Sequence, residues 1–172
     1  FSACLHPFIR NAIGCMEFGP VLLNKRHSRT NDRGTTRRTS DIFQLATSVL
    51  FQNPVQMFAL TPNNLTDVPP FEIDFMKNVP TTWDETVFID GYPGKYVILA
   101  RRHKDNWYIV GVNAQSNTIE LKVQLPMLAG EEVKKYYDDR NLKAFMEKNK
   151  VNRNGEVQIT IQPNGGFILS DF

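Results

Sequence analysis

The spacing of apolar positions along this chain changes twice, and each change predicts a different kind of element. After Leu5–Ile9, an apolar run over Asn11–Phe18 predicts a short strand, stopped by Gly19-Pro20. A polar loop, Asn24–Arg38, follows. Ile42, Leu45, Ala46, Val49 and Leu50 then recur at helical spacing behind Thr39/Ser40, which offer an N-cap before Asp41, and Pro54 ends the helix. Phe43 and Phe51 widen its apolar face, as expected of a helix packed inside a layered structure. A strand, a loop and one helix make a βα unit, which cannot cover its own apolar surface.

From Thr61 to Thr82 the chain is linker-like, with four prolines around one helical turn at Phe71–Lys77. Beyond Trp83 the period falls to two. Strands are predicted at Thr86–Ile89, Lys95–Arg102, Trp107–Asn113, Thr118–Leu125, Glu132–Tyr137, Glu156–Ile161 and Gly166–Leu169. The turn His103–Asn106 makes the second and third a hairpin. Leu142–Lys148 is read as a short helix between strands. Seven short strands at this spacing predict an antiparallel β-sandwich. The domain division that follows is 1–63 for the βα unit, 64–85 for the linker and 86–172 for the β domain.

Composition narrows the classes. The chain has 172 residues, 41% hydrophobic and 22% charged, which suits a globular fold with a real core. No apolar run approaches the roughly 18–20 residues of a membrane span. The net charge of +2 hides an asymmetry: residues 1–63 hold 7 basic and 3 acidic residues, residues 64–172 hold 13 and 15. Lys25, Arg26, Arg29, Arg33, Arg37 and Arg38 are opposed nearby only by Asp32. No aromatic residue interrupts them to stack on bases, so they are read as a solvated loop and no nucleic-acid partner is expected. Cys4 and Cys15 have no second pair for a zinc knuckle, and their apolar neighbours predict two buried thiols.

Little catalytic chemistry stands out. His6, His27 and His103 have no metal-ligand spacing, so no metal site is expected, and there is no G-x-S-x-G, P-loop or G-x-G-x-x-G. Glu131-Glu132 and Asp138-Asp139 are read as solvated surface pairs. Trp83-Asp84-Glu85 lies between linker and first strand. It reads as a docking staple, with Trp83 plugging a seam and a carboxylate capping backbone N–H groups; the rival reading stacks Trp83 on a sugar. Tyr92, in the Gly91–Gly94 turn, is the exposed aromatic best placed for a carbohydrate.

Several stretches, in order, resemble the C-terminal part of glycoside hydrolase family 97, the bacterial α-glucosidase and α-galactosidase family. Pro7-Phe8-Ile9-Arg10 with Gly14-Cys15-Met16-Glu17-Phe18-Gly19-Pro20 is similar to its P-F-T-R…G-x-M-D-[YF]-T-P run. Phe51-Gln52-Asn53-Pro54-Val55-Gln56 resembles F-x-S-P-L-Q. Asn78–Thr86, Asp90–Tyr96, Ala100-Arg101-Arg102, Trp107–Gly111 and Gly165-Gly166-Phe167 continue the resemblance to the end.

The resemblance implies that residues 1–63 are the last βα unit of a (β/α)8 catalytic barrel and that 86–172 are its C-terminal antiparallel β-sandwich. It implies an enzyme hydrolysing α-glucosidic or α-galactosidic bonds in oligosaccharides, with two carboxylic acids and a glutamate-held calcium ion, all upstream of Pro7. No catalytic residue or calcium ligand maps onto this chain, which is expected to be a tail, inactive by itself. Its β domain would support the barrel or homo-oligomerisation, and the periplasm or cell envelope is the implied location. The family's Asp becomes Glu17, a substrate-side candidate whose extra methylene moves the carboxylate by about 1.5 Å. The alternative is a non-catalytic carbohydrate-binding β-sandwich module, with Tyr92 or Trp83 as platforms.

Overall fold

The computed structural model describes residues 1–23 and 37–172, so four of the six cations of the basic cluster (Lys25, Arg26, Arg29 and Arg33) lie outside the described residues, together with His27 and Asp32. Five helical segments precede eight strands: α1 (Ser2–Leu5), α2 (Arg10–Ile13), α3 (Asp41–Leu50), α4 (Asn64–Asp67), α5 (Pro70–Asn78), then β1 (Glu85–Tyr92), β2 (Tyr96–His103), β3 (Asn106–Asn113), β4 (Ile119–Gln124), β5 (Glu132–Asp138), β6 (Ala144–Lys150), β7 (Glu156–Ile161) and β8 (Gly166–Ser170). The fold is mixed α and β, and mainly antiparallel sheet. Six strands pair in the order β1-β2-β3-β8-β5-β6, and β4 pairs with β7 in a second sheet. The last strand is inserted between β3 and β5, pairing Val110 with Ile168 on one side and Tyr136 with Ile168 on the other.

Alternation along the strands explains the layering. Ile98, Ala100, Ile109, Phe167 and Leu169 form one core with Val123, Ile159 and Ile161 of the two-stranded sheet. Their neighbours Val97, Leu99, Tyr108, Val110, Val112 and Ile168 form another with α3 and the N-terminal segment. The central strands are therefore buried on both faces, which is why β2, β3 and β8 read as nearly continuous apolar runs. Gly111 makes the first interface close: a Cβ there would stand 2.7 Å from Ile161 Cδ1.

Helix α3 is the main cover of the second face, with Ile42, Leu45, Ala46, Val49 and Leu50 fully buried. Ser40 is its N-cap; the hydroxyl accepts from the Phe43 N–H at 2.9 Å and donates to Asp138 Oδ2 at 2.5 Å. Asp138 Oδ2 also accepts from the Gly166 N–H at 2.7 Å, and the Ser40 N–H donates to the Asn164 carbonyl at 2.9 Å. Arg37 pairs with Asp41 beside this junction. Gly166 is indispensable here, because an added Cβ would lie 2.5 Å from Phe43 N and 2.6 Å from Ile42 C.

The structure corrects four expectations. Asn11–Phe18 is not a strand: residues 10–13 make a helical turn, and the ladder contact among the described residues is the parallel bridge Phe18↔Gln56. A buried strand needs partners for its N–H and C=O groups, and without them the segment satisfies its backbone locally. Leu142–Lys148 is not a helix: from Ala144 it is strand β6, pairing with β5 through Lys135↔Glu147 and Tyr137↔Phe145, because Asp139 Oδ1 accepts from the N–H groups of Asn141 and Lys143 and turns the chain back. Cys4 is buried, and burial pushes its thiol up to about 11, but Cys15 is exposed on an open stretch. Asp138 is buried rather than solvated, while Glu131 and Glu132 are exposed.

Two outcomes follow from the α3 junction. Gly166→Ala should lower unfolding stability in urea by about 1–3 kcal/mol, the usual cost of overpacking. Burial, helped by Asp41, raises the Asp138 carboxyl from 3.8 to about 6, against the pull of Ser40 and the backbone N–H groups of Gly166 and Ile42. The folded state thus holds this proton more tightly than the unfolded chain. The associated stability is present below pH 4 and lost as pH rises through 6, a loss of roughly 3 kcal/mol. Asp138→Asn keeps the acceptor oxygen without the charge, so its stability relative to the parent sequence should rise between pH 4 and pH 7. Parallel stability curves for the two would contradict this.

Candidate functional site

The stretch just before β1 sits on the sheet face that carries α5. The half-buried Trp83 ring meets Tyr108 edge-on, with centroids 5.3 Å apart, and the Arg101 guanidinium lies 5.8 Å from its centre. Tyr108 stacks on Phe172 at 5.0 Å, Phe172 reaches Phe75 at 6.1 Å, and Phe75 packs edge-on against Tyr136 at 5.3 Å. This aromatic seam joins the linker helix α5 to β3 and β5. Such pairs add about 0.5–1.5 kcal/mol each beyond the apolar area they bury.

Asp84 and Glu85 grip the β2–β3 turn. Asp84 Oδ2 accepts from the Lys104 N–H at 2.6 Å, at a residue whose φ is 55°, and the Asp84 N–H donates to the Arg102 carbonyl at 2.8 Å. Arg102 Nε reaches Glu85 Oε2 at 3.2 Å and Thr82 O lies 2.8 Å from His103 Nδ1. These partly exposed ion pairs contribute at most about 1 kcal/mol each; their main effect is to fix where the linker enters the sheet.

Two residues that periodicity did not single out hold the ends of α3. Arg101 is 4% exposed, and donates to the Leu50 carbonyl at 3.1 Å and the Phe51 carbonyl at 3.4 Å. Burial lowers its guanidinium to about 10, with nearby Cys15 acting in the opposite sense. A cation here meets the negative end of the helix, as the Asp138 carboxyl meets the positive end. The available signal was strand parity: Arg101 shares its face with Val97 and Leu99, and Asp138 shares its face with Tyr136.

Glu17 lies elsewhere. Its side chain is exposed, on a stretch held by Met16 N–H donating to the Gln52 carbonyl at 2.9 Å and by Asn53 Nδ2 donating to the Phe18 carbonyl. Glu17 shares no hydrogen bond or ion pair with Trp83, Asp84 or Glu85. Tyr92 is 59% exposed, with Lys95 Nζ 4.6 Å from its ring centre. Among the described residues, no group of three or more His, Cys, Asp or Glu side chains is placed to hold a metal ion, and no helix is long and apolar enough to cross a membrane. The calcium suggested by resemblance therefore finds no ligand set in the described part of this chain. The arrangement around Trp83 joins segments; it presents no nucleophile with a base.

Residues 82–170 match the family profile described as "Glycosyl-hydrolase 97 C-terminal, oligomerisation". A retaining alpha-galactosidase of Bacteroides thetaiotaomicron is 28% identical over 180 residues, covering 95% of this chain and 26% of the relative. The crystal structure of a beta-arabinopyranosidase superposes with a TM-score of 0.94 at 60% identity, over 98% of this chain and 27% of that one. A family 97 enzyme from Pseudoalteromonas sp., in complex with panose, superposes at 0.82 with 25% identity over 98% of this chain and 28% of its own. The chain thus spans about a quarter of the length of the relatives it matches. With the profile covering more than half of its residues, the chain belongs to glycosyl hydrolase family 97, and residues 82–170 are that family's C-terminal oligomerisation domain.

Proposed function

We propose that this chain is the C-terminal portion of a glycoside hydrolase acting on α-galactosidic bonds or their configurational counterparts, β-L-arabinopyranosidic bonds. The observation that carries the reading is the superposition on a beta-arabinopyranosidase at 60% identity. β-L-Arabinopyranose has the ring-hydroxyl arrangement of α-D-galactopyranose without the exocyclic hydroxymethyl group, so one pocket geometry suits both sugars. On this reading residues 1–63 close a (β/α)8 barrel, 64–85 link it, and 86–172 form the β domain that supports the barrel and self-association. The parallel bridge Phe18↔Gln56 on either side of α3 supports a βα unit. So does the distribution of exposed apolar side chains. Of eleven such large residues among those described, eight fall within the first 65 positions, among them Ile13 at 86% and Met57 at 77%. A face of that kind fits coverage by further polypeptide.

The catalytic acids and calcium ligands of the parent lie, on this reading, outside this chain, and the parent works in the periplasm or cell envelope. Glu17 is its substrate-side carboxylate on the barrel face that carries active sites.

The parent enzyme should hydrolyse aryl β-L-arabinopyranosides or α-D-galactopyranosides, while the 172-residue chain alone should release no aryl alcohol; a parent with neither activity would overturn the proposal. Glu17→Asp in the parent should change the ratio of kcat/KM between these two substrates by about threefold or more, equivalent to roughly 0.7 kcal/mol. Ile13→Asp and Met57→Asp should each lower the melting temperature of the parent by several degrees, for a loss of about 2 kcal/mol of apolar burial, and leave that of the isolated chain within a degree.

A further inference from the structure

The two-stranded sheet rests on β3 and β8; beyond Val133, which is buried in the shared core, it leaves the same face of β5 and β6 partly open. Between that open face and β7 lies a cleft of about 580 Å³, within the range of small-molecule sites. Tyr137 lies on its β5 wall, stacked beside Phe145 with centroids 5.7 Å apart and planes 21° apart. Gln158 and Thr160 of β7 line the opposite wall, and Arg140 stands at the rim. The side chains of Gln158, Thr160 and Arg140 make no hydrogen bond or ion pair among the described residues. Their donors and acceptors are therefore available around an aromatic ring.

The charges decide the ligand class. Lys135, Arg140 and Lys150 stand against Asp139 and Glu156, and Glu147 holds Lys135 at 3.0 Å, while Asp138 turns its carboxyl to α3; the cleft has no large excess field to attract a phosphate or polyanion. A balanced, amide- and hydroxyl-bearing cleft beside an aromatic plane suits a neutral polyhydroxylated ring, whose C–H face lies on the aromatic while its hydroxyls bond the polar rim. Tyr92 lacks this setting: it is an exposed ring on a turn, outside the cleft.

We infer that this cleft is an accessory binding site for a neutral oligosaccharide, separate from the barrel that would cleave it. The choice of sugar rests on the proposed glycosidase function; the site itself rests on the geometry above. Lys135, whose Nζ lies 4.7 Å from the Tyr137 ring centre and 3.0 Å from Glu147 Oε1, must swing aside to open the ring face.

Isothermal titration of the 172-residue chain with stachyose, a neutral tetrasaccharide bearing α-D-galactopyranosyl units, tests the inference, with tetragalacturonate as the anionic comparison. Stachyose should bind saturably, and more tightly than tetragalacturonate. Gln158→Ala combined with Arg140→Ala, both on the surface and safe for folding, should weaken it at least about tenfold. Tyr137→Phe should weaken it less, and Tyr92→Ala should leave it unchanged. A flat titration, binding indifferent to the cleft variants, or preference for the galacturonate would overturn the site. Hydrolysis by the parent without this binding overturns the cleft and leaves the proposed function standing; binding without hydrolysis does the reverse.

Discussion

Helix α3 lies across the large sheet with both ends held by buried groups from that sheet, and the rest of the molecule depends on this clamp. The Asp138 carboxyl meets the N-terminal end through Ser40, and the Arg101 guanidinium meets the C-terminal end through the Leu50 and Phe51 carbonyls. Each charge sits where the helix dipole favours it. Each also leaves water at a cost, visible as a carboxyl raised to about 6 and a guanidinium lowered to about 10. Burial of the apolar face of α3 holds the helix on the sheet; the two polar ends decide where on the sheet it lies.

That placement binds the N-terminal segments to the β domain as one body. One continuous core runs from Cys4 and Leu23 through α3 and Phe75 to Val97, Val110 and Ile168. The aromatic seam from Trp83 to Tyr136 closes its flank. The helical segments and the β domain of this family 97 chain therefore share one core instead of meeting as separate units. This arrangement also leaves the opposite face of the sheet, with its two-stranded cover and open cleft, free for other contacts.

Periodicity located most elements to within a residue or two. The helix behind Ser40, the β2–β3 hairpin and the strands at 132–138, 156–161 and 166–170 were legible because each buries one or both faces and so repeats at its own period. Residues 10–18 and 142–148 were misread because both are short apolar runs without a decisive period. Neighbours settled them: an unpaired backbone in the first case, and the Asp139 turn with pairing to β5 in the second. Candidate chemistry was legible only locally. Trp83, Asp84 and Glu85 were noticed for their position before a strand, whereas Arg101 and Asp138 look like ordinary surface charges until parity and sheet order are known.

The sequence by itself determined most of the helices and strands and, through its motifs, the family. These follow from local periodicity, turn chemistry and motif spacing. Tertiary structure alone decided that β8 enters between β3 and β5, that α3 rather than a second large sheet covers one face, and that two charges far apart in the chain cap the same helix. Such choices depend on contacts between residues separated by thirty to a hundred positions, and the cost of burying a charge becomes visible only when its partners are in place.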